Sequence, residues 1–149
     1  MLNPDFRDML SALCDAGADF LVVGAYALAA HGFPRATGDL DIWVRPTPEN
    51  AGRGCAALRQ FGAPMSRISM DDFHTPDIVY QIGVAPRRID ILTSVTGLTF
   101  DAAWPNRRTV QIEGLSVGFL GRSDLVENKR ATGRPKDLAD VAWLESEDA

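Results

Sequence analysis

The sequence is poor in lysine. Among its 15 Lys and Arg residues only Lys129 and Lys136 are lysines, and 20 Asp and Glu residues leave a net charge of −5. A net acidic chain lacks the broad basic face that sequence-independent nucleic-acid binding requires, although a small basic pocket stays open to it. Cysteine is equally scarce. Cys14 and Cys55 are far apart and have no metal-ligand spacing, which argues against a disulfide framework and for two reduced structural thiols in a cytosolic protein. No apolar run is long: the longest, Phe20 to Ala30, is too short to span a bilayer. The first ten residues show no basic segment followed by an apolar one, so no signal peptide is expected. Internal repeats, low-complexity tracts and linkers are missing too. These absences predict one cytoplasmic domain over residues 1–149, with no membrane association.

What is present is ordinary in bulk. A chain of 149 residues, 46% hydrophobic and 23% charged, has the make-up of a soluble globular protein. At that length it buries roughly 70% of its unfolded surface and needs no staples. The order of elements predicts an α/β (α+β) fold with a mixed, partly antiparallel sheet, flanking helices over 3–16 and 47–61 on its apolar face, and C-terminal helices closing one side of a cleft.

The informative stretch is Val22 to Val44. It reads as strand 19–24, a turn at Gly24, a helix over 25–31 stopped by Gly32, a loop over 33–38, and strand 39–45. A strand followed by a glycine and a helix gathers backbone N–H groups and a positive helix end at one point, where a phosphate can sit. The second strand carries Asp39 and Asp41. Side chains two apart on a strand share a face, so both carboxylates and Trp43 lie on one side, with Leu40, Ile42 and Val44 on the other. His31, near a helix end, reads as a capping or core histidine.

Later segments supply two further features. Strands over 77–84 and 88–92 form a hairpin, and the second places Asp90 amid apolar neighbours. A buried unpaired carboxylate costs several kcal/mol, so Asp90 needs a cation, a metal or an exposed face. Asp71, Asp72 and His74 fall on an irregular segment and read as a solvated loop. After a second hairpin (108–112 and 115–120), Ser123 caps a helix to about 131, and Pro135 opens a last helix to about 146 with Leu138, Val141, Ala142 and Leu144 facing inward. Lys129, Arg130, Arg134 and Lys136 cluster around the break between these helices. That cluster is either a solvated turn or a small anion clamp.

Gly24 before a helix, Asp39-x-Asp41 on a strand, Asp90 on a later strand and the basic cluster together make a set suited to metal-assisted phosphoryl transfer. In that order they resemble the nucleotidyltransferase superfamily, whose fold is shared by the DNA polymerase β palm. GFPRATGDLDIWV and NKRATGRPKDLADVAWL look like segments of its small bacterial members, including those of toxin–antitoxin and abortive-infection systems. The resemblance implies transfer of a nucleoside monophosphate from an NTP to a hydroxyl acceptor on a protein, a tRNA or a small molecule, with Mg²⁺ or Mn²⁺. It assigns Asp39, Asp41 and Asp90 as metal ligands and catalytic residues, with Asp90 as base toward the acceptor hydroxyl or as the group that orients it. Gly24 and Ala25 would cradle phosphates, Arg35, Thr37, Lys129, Arg134 and Lys136 would contact the nucleotide, and Asp137 would hold the cluster in place. The family often has Ser after the glycine, and Ala25 lacks that hydroxyl. The alternative implied is a catalytically weak or inactive member that acts as a binding partner, for instance of an antitoxin.

Overall fold

The computed structural model describes residues 2–33, 38–84 and 86–146. Among them are six α-helices, two short 3₁₀ turns and six strands. The first helix, α1 (Pro4–Asp15), starts where the Asn3 side chain accepts from the Asp5 and Phe6 N–H groups, with Pro4 at its first position. It leads into β1 (Phe20–Val23), which is buried throughout. A helix of two turns, α2 (Gly24–Ala30), precedes β2 (Leu40–Val44). Next comes α3 (Pro48–Phe61), capped by Thr47 and ended by Gly62 in the left-handed region.

A hairpin follows, of β3 (Val79–Ile82) and β4 (Ile89–Leu92), two residues shorter at its first start than the sequence pattern suggests. The short α4 (Phe100–Ala103) and a second hairpin, β5 (Arg108–Ile112) and β6 (Leu115–Phe119), come after it. Glu113 and Gly114 both adopt positive φ at its turn, the backbone that matches the twist of two-residue hairpins. The chain closes with α5 (Arg122–Thr132) and α6 (Pro135–Ser146).

All six strands join one mixed sheet in the order β3-β4-β2-β1-β6-β5. β2 lies at its heart, antiparallel to β1 and parallel to β4. Leu40, Ile42 and Val44 of β2 are all buried. On that face Val44 and Ile91 meet Leu13 of α1 and Leu58 of α3 around a small apolar void. Each such leucine contributes about 1.5–3 kcal/mol over exposure. The opposite face of the same strands carries Asp41, which is why apolar packing on one side fixes the carboxylate on the other.

Two expectations are corrected. The N-cap of α5 is Gly121, not Ser123. On α6, Leu138 is half exposed and Ala142 also faces solvent, whereas Asp137, Asp140, Val141 and Leu144 face inward. The hydrophobic stripe is displaced because the inner surface of α6 meets Lys129 rather than more hydrocarbon. His31 does cap α2; it is buried, with Nε2 2.9 Å from the Leu120 carbonyl oxygen.

Candidate active site

The site is assembled by strand register. Val23 stands opposite Asp41 across the β1–β2 pair, so the residue after Val23 is pressed against the Asp41 carboxylate. That residue is Gly24, with φ +68°, and a Cβ built on it would fall 2.3 Å from Asp41 Oδ2. Both the backbone conformation and the space admit glycine alone. In the β2–β4 pair Asp41 stands directly beside Asp90. Asp39 sits on the bend before β2, fixed by the Leu40 N–H donating to the Arg88 carbonyl at 3.0 Å.

Arg88 had no role in the sequence-based reading, and it is central here. Its Nε donates to Asp90 Oδ1 at 2.8 Å and its Nη2 to Asp90 Oδ2 at 3.2 Å. The same Nη2 lies 3.1 Å from Asp39 Oδ2. The guanidinium thus bridges two of the three carboxylates and supplies the cation that buried Asp90 requires. Arg88 and Asp90 are two apart along one strand direction, so the same-face rule that paired Asp39 with Asp41 also applied to them.

Asp41 is not hydrogen-bonded by Arg88. Burial pushes its carboxyl up to about 7, and the neighbouring Asp90 carboxyl and the Asp39 charge act the same way, opposed by Arg88. Two side-by-side carboxylates resist ionising together. Asp39 Oδ1 is buried with no hydrogen-bond partner, an arrangement that costs free energy unless something else meets it. Among the described residues, no three Asp, Glu, His or Cys side chains converge closely enough to hold a metal ion.

The C-terminal helices bring the basic cluster to the same side. A cleft of about 400 Å³ is lined by Gly24, Ala25, Asp41, Lys129, Arg134 and Lys136, among others. Lys129 is seated on buried acids, with Nζ 3.2 Å from Asp140 Oδ2 and 3.5 Å from Asp137 Oδ1. Asp137 also accepts from Thr132 Oγ1 at 2.8 Å and Arg134 Nε at 2.7 Å. The Arg134 hydrogen bond is the main cause holding its carboxyl far below the usual range, with Thr132, Lys129 and the Arg134 charge adding to it against burial. Asp140 is a member of this network that the apolar pattern of α6 concealed. Arg130 turns away to Glu145 at 2.6 Å. Arg35 and Thr37 lie outside the described residues. Asp71 and His74 pair with each other at 3.2 Å, and Asp72 accepts from the Ser69 N–H in a capping box.

A Gly24→Ala substitution tests the tight seat of Asp41. It imposes a left-handed conformation costing about 1–2 kcal/mol and forces the Asp41 carboxylate to move. The expected result in a thermal melt is a fall of about 2–8 °C, at roughly 2–4 °C per kcal/mol. An unchanged melting temperature would show that the turn relaxes freely.

No protein-family model matches the chain, and no curated protein matches it either. Solved structures do. One is a Thermotoga maritima protein provisionally assigned as a nucleotidyltransferase: at 17% identity and a TM-score of 0.58 the match covers 98% of this chain and 92% of that one. Another is an antigenic nucleotidyltransferase-like protein from Paracoccidioides brasiliensis, at 18% identity and a TM-score of 0.52, covering 94% and 74%. At such identities the likeness is one of fold. The six-stranded mixed sheet and its helices form a nucleotidyltransferase-like α/β fold. No helix among the described residues is long and apolar enough to cross a membrane.

Proposed function

We propose that this protein is a divalent-metal-dependent nucleotidyltransferase that moves a nucleoside monophosphate from an NTP to a hydroxyl on a protein, a tRNA or a small molecule. The observation that carries the reading is that Asp41, which stands beside Asp90 in the sheet, lines the same cleft as Lys129, Arg134 and Lys136. The donor chemistry suits a hard cation: three carboxylates, one with a buried oxygen that lacks a partner. Arg88 occupies Asp39 and Asp90 in the arrangement described, so these ligands need its release.

In this reading Asp39, Asp41 and Asp90 hold Mg²⁺ or Mn²⁺, which supplies positive charge to the transferring phosphoryl group. Lys129, Arg134 and Lys136 draw the triphosphate into the cleft. Lys129 is the most rigidly placed, since Asp137 and Asp140 fix its ammonium group. Gly24 and Ala25 offer backbone rather than a hydroxyl. Asp90 accepts the proton of the acceptor hydroxyl as its oxygen bonds to the α-phosphorus. The bond from that phosphorus to the β-phosphate bridging oxygen breaks, and pyrophosphate leaves.

The Arg88 bridge also favours a second reading, in which neutralised carboxylates leave a catalytically weak protein that serves as a binding partner in a toxin–antitoxin-type system. Calorimetry with each non-hydrolysable NTP analogue and Mg²⁺ separates them. The first reading expects binding of at least one analogue that disappears with chelator. Absence of binding for all four would overturn it in favour of the second.

A further inference from the structure

We propose that Arg88 is an internal counter-cation that occupies the carboxylate cluster and competes with the divalent ion for it. The inference rests on the metal-binding reading above. Three observations carry it. Both oxygens of Asp90 are taken by one guanidinium, at 2.8 and 3.2 Å. That guanidinium also reaches Asp39 at 3.1 Å. Finally, no three ligands converge among the described residues, although Asp41 and Asp90 are neighbours in register. The cluster is therefore arranged around a planar, forked cation, a shape that matches carboxylates in pairs. A small spherical ion would draw the same oxygens toward one point.

Arg88 is suited to leave as well as to stay. Its side chain is about one-third exposed, whereas that of Asp90 is only 11% exposed. The guanidinium can swing toward water while the carboxylate remains in place. In the metal-free protein it relieves repulsion among buried acids that would otherwise loosen the β2–β4 edge of the site. When the ion arrives, the same charge is redundant and must move. Metal binding and Arg88 release are then one event, and the apparent metal affinity is the intrinsic affinity multiplied by the fraction of molecules with Arg88 released. A released fraction of about one in ten weakens binding tenfold.

The test is Mn²⁺ titration of the full chain without nucleotide, followed by electron paramagnetic resonance. The proteins compared are wild type, Arg88→Met and Arg88→Lys, each checked for folding by circular dichroism. Arg88→Met is expected to bind Mn²⁺ at least tenfold more tightly than wild type. Arg88→Lys keeps the charge but cannot span both carboxylates, so it is expected several-fold tighter. Without metal, Arg88→Met melts below wild type, and saturating Mg²⁺ restores most of the difference. In wild type the Arg88 Nε–H resonance is expected to shift as Mg²⁺ saturates.

Unchanged or weaker Mn²⁺ binding by folded Arg88→Met overturns the proposal. Wild-type affinity in Arg88→Lys also overturns it, because the effect of Met would then be net charge alone. If Mg²⁺ binds and the Nε–H resonance does not move, Arg88 never leaves and the proposal falls. No Mn²⁺ binding by any of the three proteins overturns the metal-binding reading itself, and this inference with it.

Discussion

Asp41→Asn is expected to lower nucleotidyl transfer by about 10³-fold or more while raising the melting temperature of the metal-free protein at pH 8. The two effects have one cause. Asp41 is held by Gly24 on one side and stands beside Asp90 on the other, so its charge is needed for a cation and unwelcome without one. Its ordinary value of 3.8 is pushed up to about 7 in the folded protein, first by burial and then by Asp90 and Asp39. Between those two values the folded chain binds more protons than the unfolded chain. Stability therefore falls as pH rises through the window, and the whole penalty is present above about pH 7. Asparagine keeps the shape and cannot ionise, so it escapes the penalty.

The measurements are pyrophosphate release with the NTP that binds, and thermal melts at pH 4 and pH 8 with and without Mg²⁺. Each kcal/mol regained moves the melting point by about 2–4 °C at this chain length. The advantage of Asp41→Asn should vanish near pH 4, where wild-type Asp41 is protonated in the folded protein. Adding Mg²⁺ at pH 8 should raise the wild-type melting temperature and leave the variant nearly unmoved. A variant that melts lower than wild type at pH 8 without metal, or that transfers normally, contradicts the account.

The carboxylate geometry was legible because strands have a period of two. That rule put Asp41 and Trp43 on one face, whereas Asp39 lies on the bend before β2 rather than on the strand and joins the cluster through Arg88; the apolar run around Asp90 marked it as needing a partner. The pairing of Asp41 with Asp90 was not legible, since it depends on β2 lying parallel to β4, and register between distant strands leaves no local mark. Arg88 was missed for a different reason. An arginine at a strand start, after the turn-like segment that precedes it, looks like hairpin punctuation, and its i+2 relation to Asp90 was the only signal it gave. On α6 the helical spacing of Leu138 and Ala142 suggested an inner face, but Lys129 pairs with acids there, and tertiary charge pairing overrode the apolar stripe. Helix α5 begins two residues earlier than Ser123 implies because Gly121 supplies an extended backbone and the Leu125 N–H bonds its carbonyl at 2.9 Å. Within Val22–Val44 the strand, helix and second strand fall where their patterns place them, residues 34–37 of the expected loop lie outside the described residues, and Gly24 matters for its contact with a carboxylate.

Asp137→Ala is expected to cost about 3–5 kcal/mol, the range for breaking a buried ion pair by removing one member. Asp137 is fully buried and joins four groups: Lys129, Thr132, Arg134 and, through Lys129, Asp140. Alanine would leave the Lys129 ammonium with Asp140 alone, would remove the shared acceptor of Thr132 and Arg134, and would unfasten the turn between α5 and α6. At about 2–4 °C per kcal/mol the melting temperature at pH 7 should fall by roughly 6–20 °C. Asp137→Asn, which keeps a hydrogen-bonding oxygen without the charge, should lie between. The pH dependence runs opposite to that of Asp41. The Asp137 carboxyl is held below its ordinary value of 3.8, chiefly by Arg134. Its contribution is therefore complete above that ordinary value and is lost as pH falls toward the folded-state value. Melts of wild type and Asp137→Asn followed by circular dichroism should differ most at neutral pH and converge in acid. A gap under about 2 °C at pH 7, or one that widens as pH falls, would show that the Lys129 seat does not depend on the Asp137 charge.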